Sequence, residues 1–106
     1  TTEINCTFGN GQVLICYVDS ADTGRMKAIV GTVSGTAISY GAIVSSGFNY
    51  SFNPTACYDS TVNKFFVAWR DNLNSNYGSS VVITVTGTTP AFGSAVTFLS
   101  ASVCLL

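Results

Sequence analysis

AIVGTVSGTAISYGAIV, residues 28–44, returns 52 positions later, without a gap, as SVVITVTGTTPAFGSAV, residues 80–96. Val30, Thr32, Val33, Gly35, Thr36, Gly41 and Val44 recur as Val82, Thr84, Val85, Gly87, Thr88, Gly93 and Val96, and upstream Asp19 recurs as Asp71. That gives eight identities over the 34 positions from Gly11 to Val44, and other pairs keep their character: Tyr17 with Trp69, Ile29 with Val81, Tyr40 with Phe92. Self-similarity at a fixed period of this size signals a repeat architecture. The chain divides into a first unit, 1–52, a second, 53–100, and a stretch 101–106 that reads as the opening of a third unit or as an exchanged strand.

Within each copy no apolar pattern recurs at 3.6 residues, and the alternation is that of strands. Four strands are expected per unit, at residues 2–6, 12–19, 26–33 and 37–44, then 55–58, 64–71, 79–86 and 91–98. Clusters of Gly, Asn, Asp and Ser separate them. Gly35 and Gly87 sit in short hairpins that need a positive φ, which glycine takes at no steric cost. In the strand KFFVAWRD, Phe65, Val67 and Trp69 point one way while Phe66 and Ala68 point the other, so both faces are apolar. A sheet wetted on one side alternates more cleanly. Four antiparallel strands per unit of about fifty residues, apolar on both faces, fit a β-propeller blade. Since propellers close with roughly four to eight blades, two would leave apolar faces open. Closure is expected from copies of the chain, three chains giving six blades, or from neighbouring repeats of a longer polypeptide.

Composition agrees with this picture. The 106 residues are 47% hydrophobic and only 8% charged, with net charge -1. So low a charge argues against capture of nucleic acid or anionic lipid, and no apolar run is long enough for a membrane-spanning helix. Opening on Thr1 with no leader, the chain reads as processed or as a piece of something longer. The sequons Asn5-Cys6-Thr7 and Asn49-Tyr50-Ser51 read as chance in a Ser/Thr/Asn-rich sequence. Four cysteines, Cys6, Cys16, Cys57 and Cys104, allow three disulfide connectivities. Cys16 faces Ala68 across the repeat and suits a small buried residue, and with one gap in the first loop Cys6 aligns with Cys57. With no His and no CxxC, a zinc site has no ligand set, and no cofactor is expected.

The segments Ala28–Val44 and Ser80–Phe98, preceded by YDSTVNKFFVAWRDNLNSNYG at Tyr58–Gly78, resemble the long tandem repeats of virion and surface proteins of marine bacteriophages. The resemblance spans nearly the whole chain. It implies a propeller-like array with no attached reaction, located outside the cell or on a virion surface.

Residues that agree between copies, Asp19/Asp71, Gly35/Gly87 and Gly41/Gly93, read as scaffold, the aspartates as acceptors for loop N–H groups. Calcium is the sharper alternative for the loop after Asp71, but Leu73 interrupts any EF-hand-like spacing and only one ligand is anionic. Trp69, Tyr17, Tyr40 and Phe92 fit packing between units better than sugar platforms. Residues that differ are where a ligand would be met: Tyr77 with Asn74 or Asn76, opposite Arg25, and Arg70, opposite Val18 and beside Asp71 for a local ion pair. A glycosidase would need two placed carboxylates, and a Ser or Cys nucleophile would lack its imidazole base. The sequence therefore points to a non-catalytic, self-assembling structural module, with a lectin-like module holding one shallow glycan site per unit as the alternative.

Overall fold

A computed structural model describes residues 3–103. It is all-β, with two antiparallel sheets. Sheet 1 contains β1 (Ile4–Gly9), β2 (Gln12–Asp19), β3 (Arg25–Ser34), β4 (Ala37–Tyr40) and β5 (Val44–Ser45); sheet 2 contains β6 (Ser51–Asp59), β7 (Lys64–Asp71), β8 (Tyr77–Thr86), β9 (Thr89–Phe92) and β10 (Val96–Leu99). Each is a meander, because β4 and β5 both lie along β3 and β9 and β10 both lie along β8. The expected fourth strand is thus one strand broken in the same place twice. Gly31 pairs with Tyr40 and Ala28 with Val44, so two residues of β3 oppose three of the outer strand, and Ile83/Phe92 with Ser80/Val96 repeat the count. One extra residue is a β-bulge. It is sealed identically, by Gly41 N donating to Val30 O at 3.0 Å and Gly93 N to Val82 O at 2.8 Å.

Duplication reaches the backbone dihedrals. Gly35 and Gly87 hold φ +61° and +63° at the first central position of two-residue hairpins, as in a type II′ turn. The 3-10 turns Ser20–Asp22 and Asn72–Asn74 end on Thr23 and Ser75, both at φ +55°. The copies differ in their first hairpin. Asn10-Gly11, φ +53° and +75°, makes a two-residue type I′ connection, whereas Asp59 and Lys64 are joined by four residues. Because of that difference, strand register puts Thr7, not Cys6, in the place of Cys57, and gives Cys6 the place of Ala56.

The core lies between the sheets, and each contributes a different face. Leu14, Cys16, Met26, Ala28 and Val30 come from sheet 1; Phe65, Val67, Trp69, Val81 and Ile83 come from sheet 2. On the 52-residue shift the second set corresponds to Val13, Ile15, Tyr17, Ile29 and Gly31, which alternate with the first set and point the other way. The two units are therefore stacked head to tail, the inner face of sheet 1 on the opposite face of sheet 2. Phe48, in the segment joining them, stacks on Trp69 with centroids 5.0 Å apart and meets Phe92 edge-on at 5.9 Å.

Candidate functional site

The junction between the units is built from a few side chains whose reasons are visible. Asn5 Oδ1 accepts from Ala56 N at 2.9 Å, tying the edge strand β1 to the edge strand β6. Glu3 accepts likewise from Asn53 N. At the other end Gln12 Nε2 donates to Gly87 O at 2.6 Å, so the β8–β9 hairpin leans on sheet 1. Two glycines let the sheets approach. A Cβ at Gly9 would overlap the Tyr58 ring, and one at Gly41 would lie 2.7 Å from Thr88 Oγ1 and closer still to its carbonyl oxygen.

The outer faces are the unusual feature. The outer face of sheet 2 shows Phe66 and Val82, 40% and 44% exposed, where sheet 1 has Leu14 and Val30 fully buried. The outer face of sheet 1 shows Ile4 and Ile38, 70% and 44% exposed, where sheet 2 has buried Pro54 and Pro90. Both are apolar sheet faces without a cover among the described residues. Tyr17 and Tyr40, expected to pack between units, stand on this outer face of sheet 1; only their counterparts Trp69 and Phe92 reach the core.

On the outer face of sheet 2 an open cleft of about 230 Å³ lies between Asn53 and Thr55 of β6, Ala68, Trp69 and Arg70 of β7, Phe98 of β10 and Val103. Pockets for drug-sized ligands run to roughly 300–1,000 Å³, so this is a shallow surface feature. Arg70 does not form the local ion pair expected with Asp71. Its guanidinium lies 4.8 Å from the centroid of the Phe52 ring, its directly paired neighbour on β6, and its Nε is buried without a hydrogen-bond partner. Cation–π stacking replaces the carboxylate because Asp71, the next residue, points to the opposite face of the strand.

The other ligand candidates are not gathered into one site. Arg25 Nε donates to Asn49 Oδ1 at 2.9 Å, Asn74 Nδ2 reaches Thr97 Oγ1 at 3.4 Å, and Asn76 sits at φ +60° with its Oδ1 buried and unbonded. Tyr77 pairs with Asp71 at the start of β8. Of the five, Arg70 alone lines the cleft. The repeated aspartates serve their turns unequally. Asp19 Oδ1 accepts from Ala21 N at 3.1 Å, as expected; Asp71 has no such cap and takes Ser79 Oγ at 3.3 Å instead. Ser79 is the repeat counterpart of Lys27, which binds Asp19 at 2.8 Å and Asp22 at 3.2 Å. The Lys27 hydrogen bond holds the Asp19 carboxyl below its usual range, and Asp19 raises Lys27 in return. Among the described residues no three His, Cys, Asp or Glu side chains come together as a metal site, and no helix is long and apolar enough to cross a membrane.

Cys6, Cys16 and Cys57 are free thiols; Cys104 lies outside the described residues. Burial pushes the Cys16 thiol up to about 12, because the strand interior does not solvate a thiolate. In the dilute single chain, labelling at pH 8 with site-resolved mass mapping should modify the exposed Cys6 and Cys57 far faster than the buried Cys16. Equal rates would mean that β2 is not packed as described.

Sequence reasoning missed the junction residues Asn5, Gln12, Gly9 and Tyr58. The one signal available was Asn10-Gly11, which fixes the length of the first hairpin and hence the register of β1. No protein family, curated protein or solved structure matches this chain.

Proposed function

We propose that the chain is a non-catalytic structural repeat module that assembles with further units through its apolar sheet faces, in an extracellular or virion-surface structure. The observation that carries this reading is the mismatch of burial between equivalent positions: Val30 is fully buried while Val82 is 44% exposed. A repeat whose two faces are both built for burial stays incomplete until each face is covered. Three chains contributing two units each, closing as a six-bladed propeller, satisfy that requirement. Neighbouring repeats in a longer polypeptide satisfy it equally. The phage-repeat resemblance supports the location. The carboxylates support the non-catalytic role, since Asp19, Asp59 and Asp71 are engaged by Lys27, Thr61 and Ser79 in their own turns and strands.

Native mass spectrometry tests the proposal. A closed assembly, three chains for six blades, is expected; a species of 11.1 kDa persisting at micromolar concentration would overturn assembly from copies of this chain. The lectin-like reading draws on the cleft, where Phe98 offers an aromatic surface beside Arg70 and Asn53. Binding of the intact chain to a glycan array, lost in Arg70→Ala and Phe98→Ala, would favour it.

A further inference from the structure

Resting on the assembly reading, we propose that a second copy of this chain docks head to tail, the outer face of sheet 2 of one copy covering the outer face of sheet 1 of the next, in the register that already joins the two units within a chain. That register specifies contacts. Within the chain Asn5 meets Ala56, Gly9 meets Tyr58, Gln12 meets Gly87 and Gly41 meets Thr88. Advancing each by one unit places Thr55 against Cys6 of the next copy, Asp59 against its Phe8, Lys64 against its Gly35 carbonyl and Gly93 against its Thr36. Three of these four positions keep what the contact needs; at the fourth Asp59 stands where Gly9 lacks a Cβ, so the Phe8 ring of the next copy, 65% exposed, has to turn away from it. Thr55 retains a hydroxyl acceptor in place of the Asn5 amide, Lys64 retains a donor in place of Gln12, and Gly93 retains the missing Cβ. At Gly93 that space faces outward, since a Cβ there would meet only Val82 O, at 3.2 Å.

Two further observations continue the pattern. Ser51 N donates to Gly24 O at 3.0 Å where sheet 2 begins, and Val103 N donates to Asn76 O at 2.8 Å, the same bond one period later. Arg70 stands on the docking face where sheet 1 has the buried Val18. The joint between copies is weaker than the one inside the chain, because Phe48, stacked on Trp69, is matched by Ser100. A contact between two different faces is heterologous, so each copy binds one neighbour on each side and the series ends only by closing into a ring.

Two cysteines report on this geometry. Thr7, the counterpart of Cys57, lies on β1 between Asn5 and Gly9, the residues that touch Ala56 and Tyr58, and Ala56 is the counterpart of Cys6. Docking therefore brings Cys57 of one copy to Cys6 of the next, while within one chain they occupy opposite outer faces. Diamide oxidation of the native protein, followed by peptide mapping, should yield the Cys6–Cys57 disulfide between chains; diamide takes up the two electrons and two protons that the thiols lose. Because docked thiols have a high effective concentration, that bond should exceed Cys6–Cys6 and Cys57–Cys57 together by about tenfold. Mixing Cys6→Ser with Cys57→Ser chains should restore the bond that neither forms alone. Ile38→Glu and Val82→Glu, on opposite outer faces, should each block growth on one side, and their equimolar mixture should form a one-to-one dimer. Symmetric disulfides, or an oligomer by mass in which neither mixture complements, would overturn the head-to-tail register and leave assembly standing. A monomer would remove both.

Discussion

Trp69→Ala is expected to lower stability by about 3–5 kcal/mol, the usual cost of emptying a buried tryptophan site. At about 4–8 °C per kcal/mol for a chain of this size, the Tm should drop by at least about 12 °C. The indole is 3% exposed and stacked at 19° on Phe48, so its loss opens a cavity where the joining segment meets both sheets. Trp69→Phe separates shape from polarity. Its Nε1 is buried without a partner, and an unsatisfied buried donor costs about 1–3 kcal/mol. Removing that donor offsets the lost volume, and the net change should stay within about 1.5 kcal/mol. Tyr17→Ala is the informative partner, since it changes the same register position on the outer face of sheet 1. Its effect on a dilute single chain should be small and its effect on assembly large. If thermal melts showed Tyr17→Ala costing as much as Trp69→Ala independently of protein concentration, the two faces would be equally packed within the chain, and the stacking described above would be wrong.

The period of 52 makes much of this legible in the sequence. Strands at 12–19 and 64–71 match β2 and β7 residue for residue, because their alternation is unbroken and turn residues bound them sharply. The hairpins at Gly35 and Gly87 were readable for the same reason: one residue type meets one backbone requirement. What stayed hidden depends on distance in sequence. The bulge after Tyr40 and Phe92 looks like continuous strand, since Gly41 and Gly93 carry no sign of an extra residue until β3 and β8 are laid alongside. The sequence alone aligns Cys6 with Cys57, whereas strand register aligns it with Ala56, because the alignment needs a gap whose length only the Asn10-Gly11 turn supplies. Adjacency in sequence offers Arg70 the Asp71 carboxylate, but neighbours on a strand point to opposite faces. Its partner, Phe52, comes from across the sheet. The candidate site was the least legible part, because local composition does not say which of two apolar faces the chain covers itself.

Gly41 and Gly93 turn that asymmetry into a measurement, since they are identical residues at one repeat position in the same bulge. Gly41→Ala should destabilise the chain by about 1–3 kcal/mol, because the added methyl meets Thr88 backbone, which yields only if the whole β8–β9 hairpin lifts from sheet 1. The hairpin is held there by Gln12 Nε2 on Gly87 O, so Gln12→Ala should soften the penalty by letting it move. Gly93→Ala meets only Val82 O at 3.2 Å. The alanine also restricts the unfolded chain, a gain of about 0.4–1 kcal/mol, so the unfolding free energy of Gly93→Ala from urea titration should stay within about 1 kcal/mol of the parent. Its consequence belongs to the next copy, whose Thr36 hairpin the docking register brings to this point. Native mass should therefore show Gly93→Ala folded but impaired in assembly, and Gly41→Ala destabilised at any concentration. Equal urea midpoints for the two variants would mean that the β8–β9 hairpin does not press on sheet 1, and the register carried to the second copy would lose its origin.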